Sequence, residues 1–234
     1  MNVLVISCHP DDMEINCAGT LLRCKKRGDN VTVCHVANGN MGHVEIMPDE
    51  LGKMRIQEAK TSGALAGFKT VTLNVGDLMI DESSQEQHDK LVAVVREAKP
   101  DFIITHAPDD YMRDHAAVGK LAFAASFAAS VPHYRTDLGE PTDVTPIFYM
   151  ENAADVNGEP EYYVDITDEL ETKLKMLACH ESQLDWLRAH DGVDILENTR
   201  TYAAFRGMQC GVKYAEGFRR LKANLRNPTT RLLP

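Results

Sequence analysis

The stretch Val3-Leu4-Val5-Ile6-Ser7-Cys8-His9-Pro10-Asp11-Asp12-Met13-Glu14 decides how the rest of the chain is read. Residues 3–7 form a short run rich in β-branched side chains, as expected of a strand covered on both faces. That strand delivers a histidine and two adjacent carboxylates at its carboxyl end. In an open α/β sheet this edge gathers loops and helix N-termini, and ligands bind there. A histidine with two carboxylates can hold a divalent metal and keep a base beside it, which points to hydrolysis. An isolated Asp at such a boundary is more commonly a helix cap, but two Asp and a His exceed what a cap needs.

Outward from this stretch, residues 31–36, 71–73 and 102–105 are also short and apolar and read as strands. Helical patterns lie between them, over 17–26 ending at Gly28-Asp29, over 49–65 ending at Gly67, and over 84–98 ending before Pro100. Strand and helix alternate, which selects βαβ units with right-handed crossovers. The expected fold is a Rossmann-like α/β fold of three layers, with a mostly parallel sheet and helices on both faces, in a single domain over 1–234. A further helix is expected over 114–130, with Asp114 as its cap. Residues 131–161 carry Pro132, Pro141, Pro146 and Pro160 and read as loop, interrupted by a strand at 147–150. A strand at 162–166 and a helix at 167–179 follow.

The 234 residues carry 35 acidic and 25 basic side chains, a net charge of −10, and no basic cluster of the kind that phosphate backbones require. Nucleic acid is therefore not an expected partner. Neither a signal-peptide core nor an apolar stretch long enough to span a bilayer is present, so the expectation is a cytoplasmic protein with no membrane partner. The six cysteines include no C-x-x-C pair and read as small buried hydrophobes in a reducing compartment.

A second polar cluster, His106-Ala107-Pro108-Asp109-Asp110-Tyr111-Met112-Arg113-Asp114-His115, follows the fourth strand. If the first and fourth strands are neighbours, the two clusters meet. His9, Asp12 and His115 then supply the three ligands of a catalytic zinc site, which leaves a position for water, with Asp11 free as the base. On composition alone His115 would more often be a partly exposed polar residue, and His106 could merely end a strand. Pairing with the first cluster reverses the reading of His115.

The first motif resembles the HPDD-x-E signature of the PIG-L/LmbE-like N-deacetylases, and the second resembles that family's later H-P-D-H element. Ala37-Asn38-Gly39, Arg55-x-x-Glu58-Ala59, the segment from Lys173 to Gln183 with Ala178, His180 and Ser182, and Tyr214-Ala215-Glu216-Gly217-Phe218 are similar to further family elements, so the resemblance covers nearly the whole chain. It implies a zinc-dependent enzyme that removes an N-acyl group, most often acetyl, from an amino sugar or glycoside. His9, Asp12 and His115 are implied as zinc ligands and Asp11 as general base. The resemblance also implies that Asp114 orients a neighbouring histidine, that Arg55 lines the substrate pocket and that Glu14 supports the motif. It implies a trimer or hexamer as well. The ligand set also accepts iron, cobalt or manganese.

The chain departs from the pattern at Met112, where the family has a histidine that assists as acid and stabilises the oxyanion. A thioether cannot donate a proton. His106, Tyr111 and His180 are the candidates to replace it; His180 is preferred as a catalytic group at the rim, and His106 and Tyr111 as substrate contacts. Alternative readings are an amidase acting on a thiol-sugar conjugate or a non-sugar acyl amine, and a catalytically weak metal- or sugar-binding protein.

Overall fold

A computed structural model of the protein describes residues 1–152 and 159–234; residues 153–158, part of the loop expected over 131–161, lie outside the described residues. Among the described residues seven strands, β1 (Asn2–Ser7), β2 (Asn30–Ala37), β3 (Lys69–Val75), β4 (Phe102–Thr105), β5 (Ile147–Met150), β6 (Tyr162–Asp165) and β7 (Ala215–Arg220), make one sheet in the order β3-β2-β1-β4-β5-β7-β6. β1 pairs in parallel with both β2 and β4, so the opening motif and the second cluster leave the sheet side by side, as the strand order required. The first five strands run parallel; β7 lies antiparallel to β5 and β6.

The helices are α1 (Asp12–Asn16), α2 (Ala18–Lys26), α3 (Pro48–Ala66), α4 (Gln85–Ala98), α5 (Arg113–Ala128), α6 (Leu170–Leu177), α7 (Glu181–Trp186) and α8 (Ile195–Cys210). Alternate residues of the central strands feed two cores. Val3, Val5, Val31, Val33, Phe102 and Ile104 pack with Met13, Leu21 and Leu174 on one side. Leu4, Ile6, Cys34, Val36 and Ile103 pack with Leu91, Val95, Val118 and Leu121 on the other. Each such side chain stabilises the fold by about 1.5–3 kcal/mol on burial, which fixes the strand register because a one-residue slip would exchange the two sets. Among the described residues, no helix is long and apolar enough to cross a membrane.

The helix expected over 17–26 is α2, Ala18–Lys26; a short helix the sequence reading did not expect, α1, precedes it, separated by Cys17, whose φ of −146° is not helical. The helix expected over 167–179 is confined to Leu170–Leu177. The sequence reading passed over α7, α8 and β7. The buried face of α8 is Thr199, Ala203, Arg206 and Gly207, small and polar residues that leave no apolar period to detect. β7 carries Glu216, Gly217, Arg219 and Arg220, a poor strand composition that pairing on both edges overrides. Glu216 also explains two of the C-terminal motif elements. Its carboxylate accepts from Lys173 Nζ at 2.6 Å, Gly19 N at 2.9 Å, Thr20 N at 2.7 Å and Thr20 Oγ1 at 2.6 Å, locking α6 and β7 onto the start of α2.

Candidate metal and catalytic site

At the carboxyl end of β1 the chain turns sharply into α1. Asp11 sits in this turn with φ of 109°, a left-handed conformation unusual for a residue other than glycine. Such strain costs about 1–3 kcal/mol and persists only where the surroundings impose it. Arg55 of α3 is among those surroundings: its Nη2 donates to Pro10 O at 2.6 Å and lies 3.1 Å from Asp11 Oδ2, while Nη1 donates to Gly39 O at 3.3 Å. Arg55 is thus buried and bound to the motif, not a solvated helix residue. Gly39 has φ of +75°, and a Cβ there would come within 2.7 Å of the Arg55 side chain, so glycine is needed for the guanidinium to reach Asp11.

The turn brings Asp12 back over His9, whose backbone N–H donates to Asp12 Oδ2 at 2.7 Å. His115, in the first turn of α5, enters from the β4 side. His9 Nδ1 lies 3.4 Å from Asp12 Oδ2, His115 Nε2 lies 3.2 Å from the same oxygen, and the two ring nitrogens are 3.3 Å apart. Donors on a tetrahedral zinc with bonds of about 2.0–2.1 Å are separated by about 3.3–3.4 Å. The three atoms therefore fit a divalent metal in spacing and in chemistry. Cys8 Sγ belongs to the same group of convergent atoms, but it sits beside His9 Nε2 at 3.7 Å, and burial pushes its thiol up to about 12, which keeps it neutral.

The electrostatics divide the two carboxylates of the motif. Burial raises the Asp11 pKa to about 6, against the opposing Arg55 charge. Asp12 meets the same burial penalty, but His115, His106 and His9 outweigh it and hold its carboxyl well below the usual range. Asp12 is accordingly the fixed anion, and Asp11 is the one poised to exchange a proton near neutral pH.

The remaining predicted residues are distributed around this centre. Asp114 is buried, with Oδ2 accepting from Leu78 N at 2.7 Å and lying 3.6 Å from His9 Nε2, so the histidine it faces is His9. His106 is 1% exposed; its Nε2 accepts from Cys8 N at 3.0 Å, and burial lowers its pKa to about 4, the state of a neutral acceptor within the strand ends. Tyr111 is 57% exposed. His180, expected at the rim, is fully buried at the start of α7 with Nε2 3.1 Å from Glu14 Oε1. Glu14 thus turns away from the candidate ligands and toward His180 and Ser62. Met112 precedes α5 and is half-buried.

Three residues that bear on the site were not singled out from the sequence. Asp77, after β3, accepts from Gly39 N at 2.8 Å and Met41 N at 3.0 Å and so holds the loop that carries Gly39. Asp110 and Asn152 meet at His115: Asp110 Oδ2 is 3.3 Å from His115 Nδ1, and Asn152 Nδ2 donates to Asp110 at 3.1 and 3.2 Å. All three follow carboxyl ends of strands; Asp110 lies inside the second cluster itself, and the rule that located the two clusters extends to Asp77 and Asn152.

This fold and sequence have known relatives. The chain belongs to the PIG-L family, GlcNAc-PI de-N-acetylase, whose family model matches residues 4–126. Diacetylchitobiose deacetylase from Thermococcus kodakarensis is 32% identical over 231 residues, covering 93% of this chain and 82% of that protein. A 1D-myo-inositol 2-acetamido-2-deoxy-alpha-D-glucopyranoside deacetylase from Streptomyces scabiei is 27% identical, covering 63% of this chain and 54% of that protein. Among solved structures, N,N'-diacetylchitobiose deacetylase from Pyrococcus horikoshii in complex with an inhibitor superposes with a TM-score of 0.81 at 29% identity, covering 94% of this chain and 83% of that one. A 4-carboxy-2-hydroxymuconate hydratase from Pseudomonas putida reaches a TM-score of 0.84 at 20% identity and shows the fold alone.

Proposed function

We propose that this protein is a metal-dependent hydrolase that removes an acyl group, in the first place acetyl, from the nitrogen of an N-acetylglucosamine-type amino sugar or glycoside. The observation that carries the reading is the tetrahedral spacing of His9 Nδ1, Asp12 Oδ2 and His115 Nε2 beside a strained, buried Asp11. The relatives supply the substrate class, since they are deacetylases of chitobiose and glucosaminyl-inositol compounds.

A zinc ion held by His9, Asp12 and His115 would supply Lewis-acid polarisation of the amide carbonyl and a water that ionises near neutral pH. Asp11 would serve as the base for an attacking water, and its elevated pKa suits it both to accept a proton and to return one to the leaving amine. Arg55 holds Asp11 in its strained backbone conformation and balances its charge. His180, paired with Glu14 and sensed by Asp11 through space, adds positive charge behind the base. Tyr111 contacts substrate; His106 supports the strand end from within. Asp114 orients His9.

The zinc-loaded protein is expected to release acetate from N-acetylglucosaminyl compounds, and a metal-free preparation with full activity would refute the proposal. Met112 favours a second reading, a weak catalyst that binds amino sugars, because loss of one oxyanion donor typically costs about a hundred- to thousand-fold in rate. A zinc-loaded protein that binds amino sugars without turnover, and gains turnover in Met112→His, would establish that reading instead.

A further inference from the structure

The metal reading leaves one carboxylate at the site without a role. Asp110 lies in the loop between β4 and α5, five residues before His115, and its side chain is buried. Three groups converge on it. Met112 N donates to Oδ1 at 2.9 Å, Asn152 Nδ2 donates to both oxygens, and His115 Nδ1 stands 3.3 Å from Oδ2. The two backing contacts come from different elements, the loop before α5 and the second residue after the end of β5, so the carboxylate is fixed from both sides.

We infer that Asp110 is the positioning residue for the ligand His115: it accepts a hydrogen bond from Nδ1–H, keeps the proton on that nitrogen and so presents the Nε2 lone pair to the metal. This rests on the proposed metal site. The tautomer follows from the acceptor. An imidazole nitrogen facing an anionic oxygen carries the proton, which leaves the other nitrogen, the one 3.2 Å from Asp12 Oδ2 and 3.3 Å from His9 Nδ1, unprotonated and free to coordinate. Asn152 Nδ2 also lies 3.2 Å from His115 Nδ1. Were that amide to donate to Nδ1, the proton would move to Nε2 and the ligand would be lost; the charged carboxylate is the stronger acceptor for both donors and prevents this. Turning the amide over would set its oxygen against the carboxylate.

His106, Asp110 and His115 also cluster closely enough to suggest a second metal position. The hydrogen bonds argue against it. His106 Nε2 is spent on Cys8 N–H, and both Asp110 oxygens already accept from Met112 and Asn152. Asp110 therefore stands behind a ligand and is not one itself.

The test measures metal binding apart from turnover. Wild type, Asp110→Ala, Asp110→Asn and His115→Ala are stripped with chelator and titrated with cobalt(II) and zinc(II) against a chromophoric competitor. Wild type is expected to bind one metal per chain and His115→Ala to lose it. If either fails, the metal site itself is wrong and the role of Asp110 falls with it. With that control in place, Asp110→Ala is expected to weaken binding about 10- to 100-fold and to shift the visible cobalt spectrum, with the unfolding midpoint unchanged. Asp110→Asn, which keeps an oxygen for Nδ1, falls between Asp110→Ala and wild type. Wild-type affinity and spectrum in Asp110→Ala would overturn the inference. So would an affinity loss matched by an equal fall in stability in both variants. Should Asp110→Ala not fold, Asp110→Asn alone decides by the same affinity and spectrum.

Discussion

Asp12 and Glu216 are both buried carboxylates at the amino ends of neighbouring helices, α1 and α2, yet they are satisfied in opposite ways. Glu216 has four donors, two on each oxygen, between 2.6 and 2.9 Å, and one of them is an ammonium. That fills the acceptor capacity of a carboxylate. At Asp12 a single oxygen is approached by one backbone N–H and by three imidazoles at 3.2 to 3.4 Å, distances that leave room between the atoms for a small cation. The same contrast separates two buried arginines. Arg96 directs its guanidinium at five backbone carbonyls around residues 129–139, whereas Arg55 shares its guanidinium between two carbonyls and the strained Asp11, and its Nε has no partner among the described residues. A saturated buried charge holds the fold. One whose bonding capacity is left open, at the carboxyl edge of the sheet, is available for chemistry.

The largest expected effect tests the open side of this contrast. Asp11→Asn is expected to lower kcat by about a hundred- to ten-thousand-fold while metal content per chain stays at the wild-type value, because the amide keeps the shape but cannot take a proton. Wild-type turnover in this variant would remove Asp11 as the base. On the saturated side, Lys173→Ala leaves Glu216 buried without its ammonium and is expected to cost about 3–5 kcal/mol of unfolding free energy in denaturant. The folded fraction should still bind metal with wild-type affinity. A large loss of metal affinity without a loss of stability would mean that the two clusters are not separable.

The two regions also differed in how legible they were. The parallel half of the sheet could be read because its strands are short apolar runs that alternate between two cores, and because β1 and β4 each end in a polar cluster. Their adjacency, the one topological fact the site needs, followed from the alternation of strand and helix. The C-terminal part could not be read in the same way. α8 buries Thr199, Ala203, Arg206 and Gly207, and β7 is held by its partners in spite of its charge. Side-chain direction was hidden for a related reason. His180 faces inward because Glu14, from another element and 166 positions earlier by residue number, is there to meet it. Asp11 adopts a positive φ in the grip of Arg55. Both depend on contacts distant in sequence, which periodicity does not report.

A milder case lies at the other end of β1, away from the candidate metal cluster and akin to Glu216 in its bonding. Asp29 accepts from the N-terminal ammonium at 3.0 Å and from Arg27 Nη2 at 2.6 Å and Nε at 2.9 Å. Burial disfavours its charge, but the Arg27 and N-terminal hydrogen bonds prevail and lower its pKa. A carboxyl whose folded pKa lies below its unfolded value of about 3.9 contributes stability above that pH and loses it as the pH falls through the folded pKa. Asp29→Asn is therefore expected to lower the melting midpoint by roughly 2–4 °C at neutral pH, with the gap to wild type closing below about pH 4. Turnover should not change at any pH, because the residue only fastens the start of β1 to the turn before β2. A gap that persisted at acid pH would assign the effect to lost packing instead of charge, and a change in turnover would show that the strand's two ends are coupled.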